Sequence, residues 1–386
     1  MVFADEATTT GSVYGGGNNG YATGDIQVYV AGGSVAGNVF GGANKAPSQG
    51  AVAVTVTKGT VTGGVYGGSN QSGAISGAVT VDVYGTDPQP GSGYAIGKVF
   101  GGGNVAAYSG TPAVTVHCGD NISIGELYGG GNAATVTGTN VNIYGGNKIG
   151  NVFGGCYGAS VTTNGTKVNI HGGTIEKVFG GNNQSGSIAG GIKVRVHKDG
   201  SCPMKIGELY GGGNVAGSAA GSINIGCTGT LTDAHSEHPE NIGKTLEGIG
   251  DVYGGANAAA VTGNVTLTID SGMVYRVFGG NNTSNTVSGT ITVNIDKQDD
   301  ACGWYVGYVY GGGNNAPYSN AGNYPAVNVS AGLVSYNVFG GGKGSTAIVT
   351  GNPKVTLSGT AHVGGNVYGG GDAAAVDGST NVILKD

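Results

Sequence analysis

The sequence predicts an all-β chain. The fold is a single parallel β-solenoid, a three-sided β-helix, of about 13 coils of 25–30 residues with insertions at its corners. Three observations predict it. First, Val or Leu, then Tyr or Phe, then Gly-Gly recurs 13 times, with rings at Tyr14, Phe40, Tyr66, Phe100, Tyr128, Phe153, Phe179, Tyr210, Tyr253, Phe278, Tyr310, Phe339 and Tyr368. Second, the motif returns about every 30 residues, and six of its twelve intervals are only 25 to 28 residues, the length of one coil. Third, short runs such as Val79-Thr80-Val81-Asp82 and Val265-Thr266-Leu267-Thr268 alternate apolar and polar residues, while helical periodicity occurs nowhere. A lead-in, 1–11, precedes the repeat domain, 12–386.

Composition removes other classes. Glycine supplies 85 of 386 residues. There is no Gly-X-Y period, so the chain is not collagen, and the alternating Val and Ile runs are foreign to disordered tracts. Lys and Arg number 16 against 22 Asp and Glu, a net charge of −6. No basic stripe results, so nucleic acid is not an expected partner. No run of about 18 apolar residues exists to span a membrane. The first residues lack the charged and apolar regions of a secretory signal. The sequence stops within a strand pattern, as a piece of a longer secreted protein would.

The coil that starts at Tyr128 shows the elements in order. Gly129-Gly130-Gly131-Asn132 makes a turn, and its glycines are expected to supply positive φ at the corner. Ala134-Thr135-Val136-Thr137 reads as a small-residue strand closed by Gly138. Val141-Asn142-Ile143-Tyr144 reads as an alternating strand with Val141 and Ile143 inward. Ile149-Gly150-Asn151-Val152-Phe153 then opens the next motif. One coil cannot bury its own apolar face; stacked coils can. Bare terminal coils expose strand edges, which invites end-to-end self-association.

Four residues past most rings stands an asparagine: Asn18, Asn44, Asn70, Asn104, Asn132, Asn183, Asn214, Asn257, Asn282 and Asn314. Stacked in register, these amides are expected to form a ladder, and asparagine also tolerates a left-handed corner. Calcium is excluded by residue type, because only Asp372 places a carboxylate there. The ring column either stacks inside or forms an external stripe. Burial is expected, since an exposed line of Phe and Tyr would aggregate. Two residues before the rings, Lys98 and Glu126, Lys177 and Glu208, and Asp251 and Arg276 place opposite charges on neighbouring coils.

Several side chains are candidates for binding. Asp82, His117, Tyr144, His171 and His197 share the outer face of the alternating strand on successive coils, a polar, aromatic strip suited to glycan. An ordinary solvated strand face is the plain alternative. Insertions occupy 85–95, 198–205, 227–248, 297–305 and 317–325. His235 and His238 lie in the longest, with Asp233, Glu237 and Glu240, which is expected to be a mobile acidic loop rather than a metal site. Asp299 to Tyr305 carries Trp304, the only tryptophan, and Tyr305, as an aromatic contact or an edge cover. The five cysteines, Cys118, Cys156, Cys202, Cys227 and Cys302, contain no CxxC pair, so no zinc site is expected. Isolated thiols are the default, and a Cys202–Cys227 pair across neighbouring coils is the alternative.

Enzymatic motifs are missing. No Gly-x-Ser-x-Gly, Walker or HExxH pattern occurs, so neither catalysis nor a cofactor is expected. The Val-Tyr/Phe-Gly-Gly-x-Asn units and Val-Thr-Val strands resemble the repetitive β-helical adhesins of bacterial surfaces, including autotransporter passenger domains and their polymorphic Gly-Gly-rich relatives. The resemblance covers about residues 12–386 and implies a secreted or cell-surface location. The expected function is a non-enzymatic scaffold or adhesin that binds a glycan or host surface. The alternatives are a carbohydrate-active β-helix such as a tail-spike or polysaccharide lyase, which needs paired carboxylates, and an ice-binding solenoid, which needs flat Thr-x-Thr arrays on successive coils, whereas pairs such as Thr55/Thr57 and Thr266/Thr268 stand apart.

Overall fold

The structure, a computed structural model, describes residues 2–3, 6–89, 91, 93–119, 121–298 and 301–386. It is a parallel β-solenoid of about 13 turns. Among the described residues, helix is confined to Asp233–Glu237 and a 3-10 turn at Pro239–Asn241. Two compact units make up the chain. The first comprises Met1–Glu176, Gly181–Gly190 and Gly200–Cys202; the second comprises Lys177–Gly180, Gly191–Asp199 and Pro203–Asp386.

Each coil of the first unit contributes an aromatic strand and a valine strand. Ser123–Tyr128 pairs with Lys148–Phe153, placing Ile124 beside Ile149, Leu127 beside Val152 and Tyr128 beside Phe153. Thr139–Ile143 pairs with Thr166–Ile170, placing Val141 beside Val168 and Ile143 beside Ile170. All four of these aliphatic residues are fully buried. Alternation sends them inward, and parallel register stacks like on like. The lead-in joins the same sheet, since Val2–Phe3 and Thr8–Thr9 both pair with Ile26–Val35. Met1, Ala4 and Asp5 lie outside the described residues. The second unit repeats the arrangement: Leu209 pairs with Val252, Tyr210 with Tyr253 and Ile223 with Leu267.

The third side differs from expectation. Ala134 to Thr137 is not a strand; one residue per coil makes a single bridge, as in Tyr108 to Val136 to Val161 to Ile188. Among the described residues only Tyr318–Ser319, Val349–Thr350 and Val376–Asp377 extend it to two residues. Ala, Ser and Gly dominate this side and offer little side-chain packing to a pleated ladder.

The motif glycines also act differently. None of Gly129, Gly130 and Gly131 has positive φ. They are needed for space. A Cβ on Gly129 would lie 2.4 Å from the Gly154 carbonyl and 2.9 Å from Val141 Cγ2. The first motif glycine thus lets the turn close onto the valine strand of its own coil. Positive φ is found instead after the valine strand, at Gly146 and Gly173 among others. The ladder asparagines are not left-handed either: among the described residues only Glu6 and Asn285 have positive φ without being glycine.

The ring column is stacked in each unit and, from Phe40 to Phe339, buried. Centroids from Tyr14 to Phe153 are 4.6–5.0 Å apart in the first unit. Those from Phe179 to Tyr368 keep the same spacing in the second. The neighbouring Val or Leu is buried as well, because the rings form a second core on the opposite face of the strand. Tyr128 shares that face with Glu126: its hydroxyl donates to Glu126 Oε2 at 3.1 Å and accepts from Asn183 Nδ2 at 2.8 Å. The rings therefore lie under a roof of charged and asparagine side chains.

Both expectations for the cysteines are corrected, for four of the five are paired otherwise. Cys118 is bonded to Cys202 and Cys227 to Cys302, while Cys156 is a free, buried thiol. The 198–205 and 297–305 excursions each fold back over an earlier coil. The first bridge passes over Gly145 and Gly172, where added Cβ atoms would lie 2.9 Å from Cys202 Sγ and 3.2 Å from Cys202 Cβ. Asp299 and Asp300 lie outside the described residues. The 227–248 insertion is likewise an ordered cover rather than a mobile loop. Pro239 and Ile242 are buried, the latter against Met273 and Tyr305. Lys198 Nζ meets Glu247 Oε1 at 2.6 Å.

Candidate binding site

Alternation along the aromatic strand leaves two outer positions open to ligands. Two residues before each ring stands the charged column, and its pairs form as the register requires. Lys98 meets Glu126 at 3.0 Å, Lys177 meets Glu208 at 2.8 Å, and Arg276 Nε reaches Asp251 Oδ1 at 2.7 Å. Three residues before the ring, glycine is the rule: Gly63, Gly97, Gly125 and Gly150 in the first unit. A Cβ on Gly125 would sit 2.6 Å from the Gly97 carbonyl, and one on Gly150 2.4 Å from the Gly125 carbonyl. Coil-to-coil backbone approach therefore forbids a side chain in the observed backbone. The result is a furrow floored by peptide groups.

The furrow is partly filled by the chain itself. From the 85–95 excursion Tyr94 lies along it, with ring carbon Cδ2 3.3 Å from the Cβ position of Gly125 and its hydroxyl 3.0 Å from that of Gly150. The hydroxyl donates to Glu176 Oε1 at 3.3 Å. Lys148 Nζ stands 4.7 Å from the ring centroid and donates to the Gly91 and Gly93 carbonyls, closing the excursion down. Burial and the Glu176 carboxylate both push the Tyr94 pKa upward. Pro90 and Ser92 of this excursion lie outside the described residues.

Beside Tyr94 the furrow is empty. A pocket of about 340 Å³ opens over Gly63, Gly64 and Gly97, edged by Asn38, Thr62 and Lys98 and floored by Tyr66 and Phe100. It exists because Gly64 stands where every other coil carries Ser, Asn, Lys, Glu, Asp, Arg or Tyr. Asn132, the asparagine two coils on from Tyr66, also lines it. The Tyr66 hydroxyl has no hydrogen-bond partner among the described residues, whereas Tyr14, Tyr128 and Tyr210 each bond an asparagine two coils on. Burial pushes Tyr66 up to about 12, so it is a neutral donor at physiological pH. No carboxylate, histidine or cysteine lines the pocket. It can hold a small ring and hydrogen-bond it, with one ammonium at the edge.

The residues expected from the sequence are placed as follows. His117 stacks on Tyr84 at 3.7 Å and faces Tyr144 at 6.4 Å, and Tyr144 stacks on His171 at 4.5 Å. Tyr84, not Asp82, continues this column, because Val83 rather than Val81 pairs with Val116. Asp82 still reaches His117, Oδ1 to Nε2 at 3.0 Å. Tyr84 and Tyr144 are exposed at 48% and 40%. His197 accepts from the Cys227 amide at 3.3 Å and lies over Gly226. His235 is corrected as a contact. It is buried, its Nδ1 accepts from the Thr232 amide at 3.1 Å, and its Nε2 meets the Glu247 carbonyl at 3.2 Å. Both ring nitrogens are thus engaged in holding the insertion. His238 is exposed, 3.5 Å from Glu240. Tyr305 is also corrected, being buried against Ile242 and Met273. Trp304 donates to the Leu333 carbonyl at 2.8 Å and packs against Gly332, covering the next coil.

The asparagine side chains bond coil to coil. Asn44 donates to Asn18, Asn70 to Asn44, Asn104 to Asn70 and Asn132 to Asn104 at 2.7–2.9 Å. Asn257 donates to Asn214, Asn282 to Asn257 and Asn314 to Asn282 at 2.8–3.1 Å. Among the described residues no three His, Cys, Asp or Glu side chains converge as a metal site would need, and no helix is long and apolar enough to cross a membrane. The notch is what the sequence reading missed. Its signal was present: Gly64 is the one glycine in an otherwise side-chain-bearing column. Comparison with family models, curated proteins and solved structures returns no match.

Proposed function

We propose that the chain is a non-enzymatic, extracellular scaffold of the adhesin kind, which presents a fixed polar and aromatic face to a glycan. The observation that carries this reading is the corner after the valine strand. There the exposed Tyr84 and Tyr144 and the half-buried His117 and His171 form one strip of rings, and the Cys118–Cys202 disulfide ties the adjoining corner. Disulfides persist where the surroundings are oxidising, which supports a secreted or surface location. Ordered side chains on a stapled strand face lose little entropy on binding. Within the strip, ring faces are largely taken by neighbouring rings. Ligand hydroxyls therefore meet ring edges, the tyrosine hydroxyls and the imidazole nitrogens.

A glycan array comparing the wild type with a Tyr144→Ala/His171→Ala variant tests the reading. Both side chains lie on the outer strand face, so the fold is expected to survive their loss. Binding of at least one glycan class, weakened about tenfold or more in the variant, is the expected result, at ~1–1.5 kcal/mol for two edge contacts. An array on which the intact protein binds nothing would remove glycan as the ligand class. Loss of binding in a Trp304→Ala variant alone would move the site to the second unit.

A further inference from the structure

The notch at Gly64 and the Tyr94 seat lie in one furrow, and the seat shows what the furrow holds. Both have a glycine floor: Gly125 and Gly150 under Tyr94, Gly63 and Gly97 in the notch. Each also has a lysine at its edge. Lys148 stands 4.7 Å from the Tyr94 centroid, and Lys98 lines the notch. Lys98 already makes such a contact, standing 4.9 Å from the Tyr157 ring. Both offer a polar group for a phenol. Glu176 accepts from Tyr94, while the Tyr66 hydroxyl opens unpartnered beside Asn38 and Thr62. At about 340 Å³ the notch is at the small end of ligand pockets, which run ~300–1,000 Å³.

We propose that the notch takes the phenol ring of a tyrosine on a partner protein, seated over Gly63 and Gly97 beside Lys98 as Tyr94 is seated over Gly125 and Gly150 beside Lys148. This does not rest on the glycan reading, which concerns the corner strip. An aromatic ring fits better than a sugar here for a physical reason. The floor is flat peptide and ring edge, and the one charged residue that lines it is Lys98, whose ammonium is paired with Glu126 and already lies against the π face of Tyr157. The Tyr66 hydroxyl then meets the ring's own hydroxyl or the partner backbone, which gives the donor an acceptor.

The test is an amide-resolved NMR titration of the whole chain with N-acetyl-tyrosinamide, and in parallel with methyl glucoside. The expected result is a saturable shift of the Gly63, Gly64, Gly97 and Lys98 amides by the tyrosine amide alone, weakened roughly two- to fivefold in Lys98→Ala. Tyr94→Ala vacates the neighbouring seat, so a second set of shifts at Gly125 and Gly150 is expected with the same probe. Shifts at the notch from the glucoside but not the tyrosine amide would overturn the proposal in favour of a sugar subsite. No saturable shift from either probe would overturn it outright, whether or not the Tyr94→Ala chain folds.

Discussion

In the first unit the outer furrow of the aromatic strand is floored by glycine and covered only where the 85–95 excursion lays Tyr94 into it. In the second unit glycine also stands at this position, at Gly207, Gly250, Gly307 and Gly365, but two coils carry Tyr275 and Tyr336 instead, with Tyr308 in the charged column between them. Tyr308 stacks on Tyr336 at 4.6 Å and meets Tyr275 edge-on at 6.1 Å. Beneath them Ile242, from the longest insertion, packs with Met273 and Tyr305. One repeat thus yields an open furrow in one place and a filled one in another. The difference teaches that the period builds the groove, while departures from the period decide whether a ligand can enter it.

Four experiments would break or sharpen this contrast. The largest effect is expected from Cys227→Ser with Cys302→Ser. The bridge spans 75 residues, and a loop of that length loses about 4.5 kcal/mol of stability when opened, on the chain-entropy account. The insertion should then lose hydrogen-exchange protection around Ile242 and uncover the tyrosines. Unchanged protection there would mean that apolar contacts, not the bridge, hold the cover down.

Next is alkaline pH. A tyrosine whose folded pKa lies above its unfolded value of about 10 stabilises the fold fully below pH 10. That contribution is lost as pH rises through the folded value, about 12 for Tyr66. Tyr66 alone amounts to roughly 2–3 kcal/mol, at ~1.4 kcal/mol per unit. Burial raises Tyr128, Tyr210 and Tyr253 further still. Urea midpoints should therefore fall steadily from pH 10 to 12, and less steeply in Tyr66→Phe. A flat midpoint across that range would show that the ring column is open to water.

A smaller and more local comparison sets Arg276→Ala against Lys98→Ala. Asp251 is only 13% exposed and takes two bonds from Arg276 in the second unit, so losing the guanidinium should cost about 2 kcal/mol. Lys98 is 43% exposed and makes one contact with Glu126, so its loss should cost under about 1 kcal/mol. Equal costs in denaturant melts would mean that the two columns are roofed alike. The smallest effect is expected from Tyr94→Phe. It removes a single 3.3 Å bond to Glu176, worth about 0.5 kcal/mol, and should leave the ring seated in the furrow. A larger loss would show that the hydroxyl, not the glycine floor, fixes the ring.

Much of the fold was legible because it is periodic. The alternation of Val141, Asn142, Ile143 and Tyr144 gave inside and outside directly, and the spacing of Tyr128 and Phe153 gave the register. The site was less legible. His235 reads in sequence as a candidate contact in a mobile acidic loop but serves as a helix-holding side chain, because nothing local reveals that Thr232 and Glu247 close around it. The motif glycines read as turn residues, yet Gly129 is required by Val141 of its own coil. Asp82 was set in the His117 column because strand length, not the repeat, decides that Val83 faces Val116.

The sequence by itself determined the repeat, and through it the stacking of rings, valines and asparagines. Each column needs only that identical side chains recur at one coil length, and parallel pairing then brings them together. Tertiary structure alone decided the rest: that Cys202 turns back to Cys118 and not on to Cys227, that Tyr94 lies down over Gly125 and Gly150, and that Gly64 leaves a pocket beside Tyr66. These depend on the paths of excursions that have no period. A path of that kind is set by what it packs against in space, which the order of residues along the chain does not encode locally.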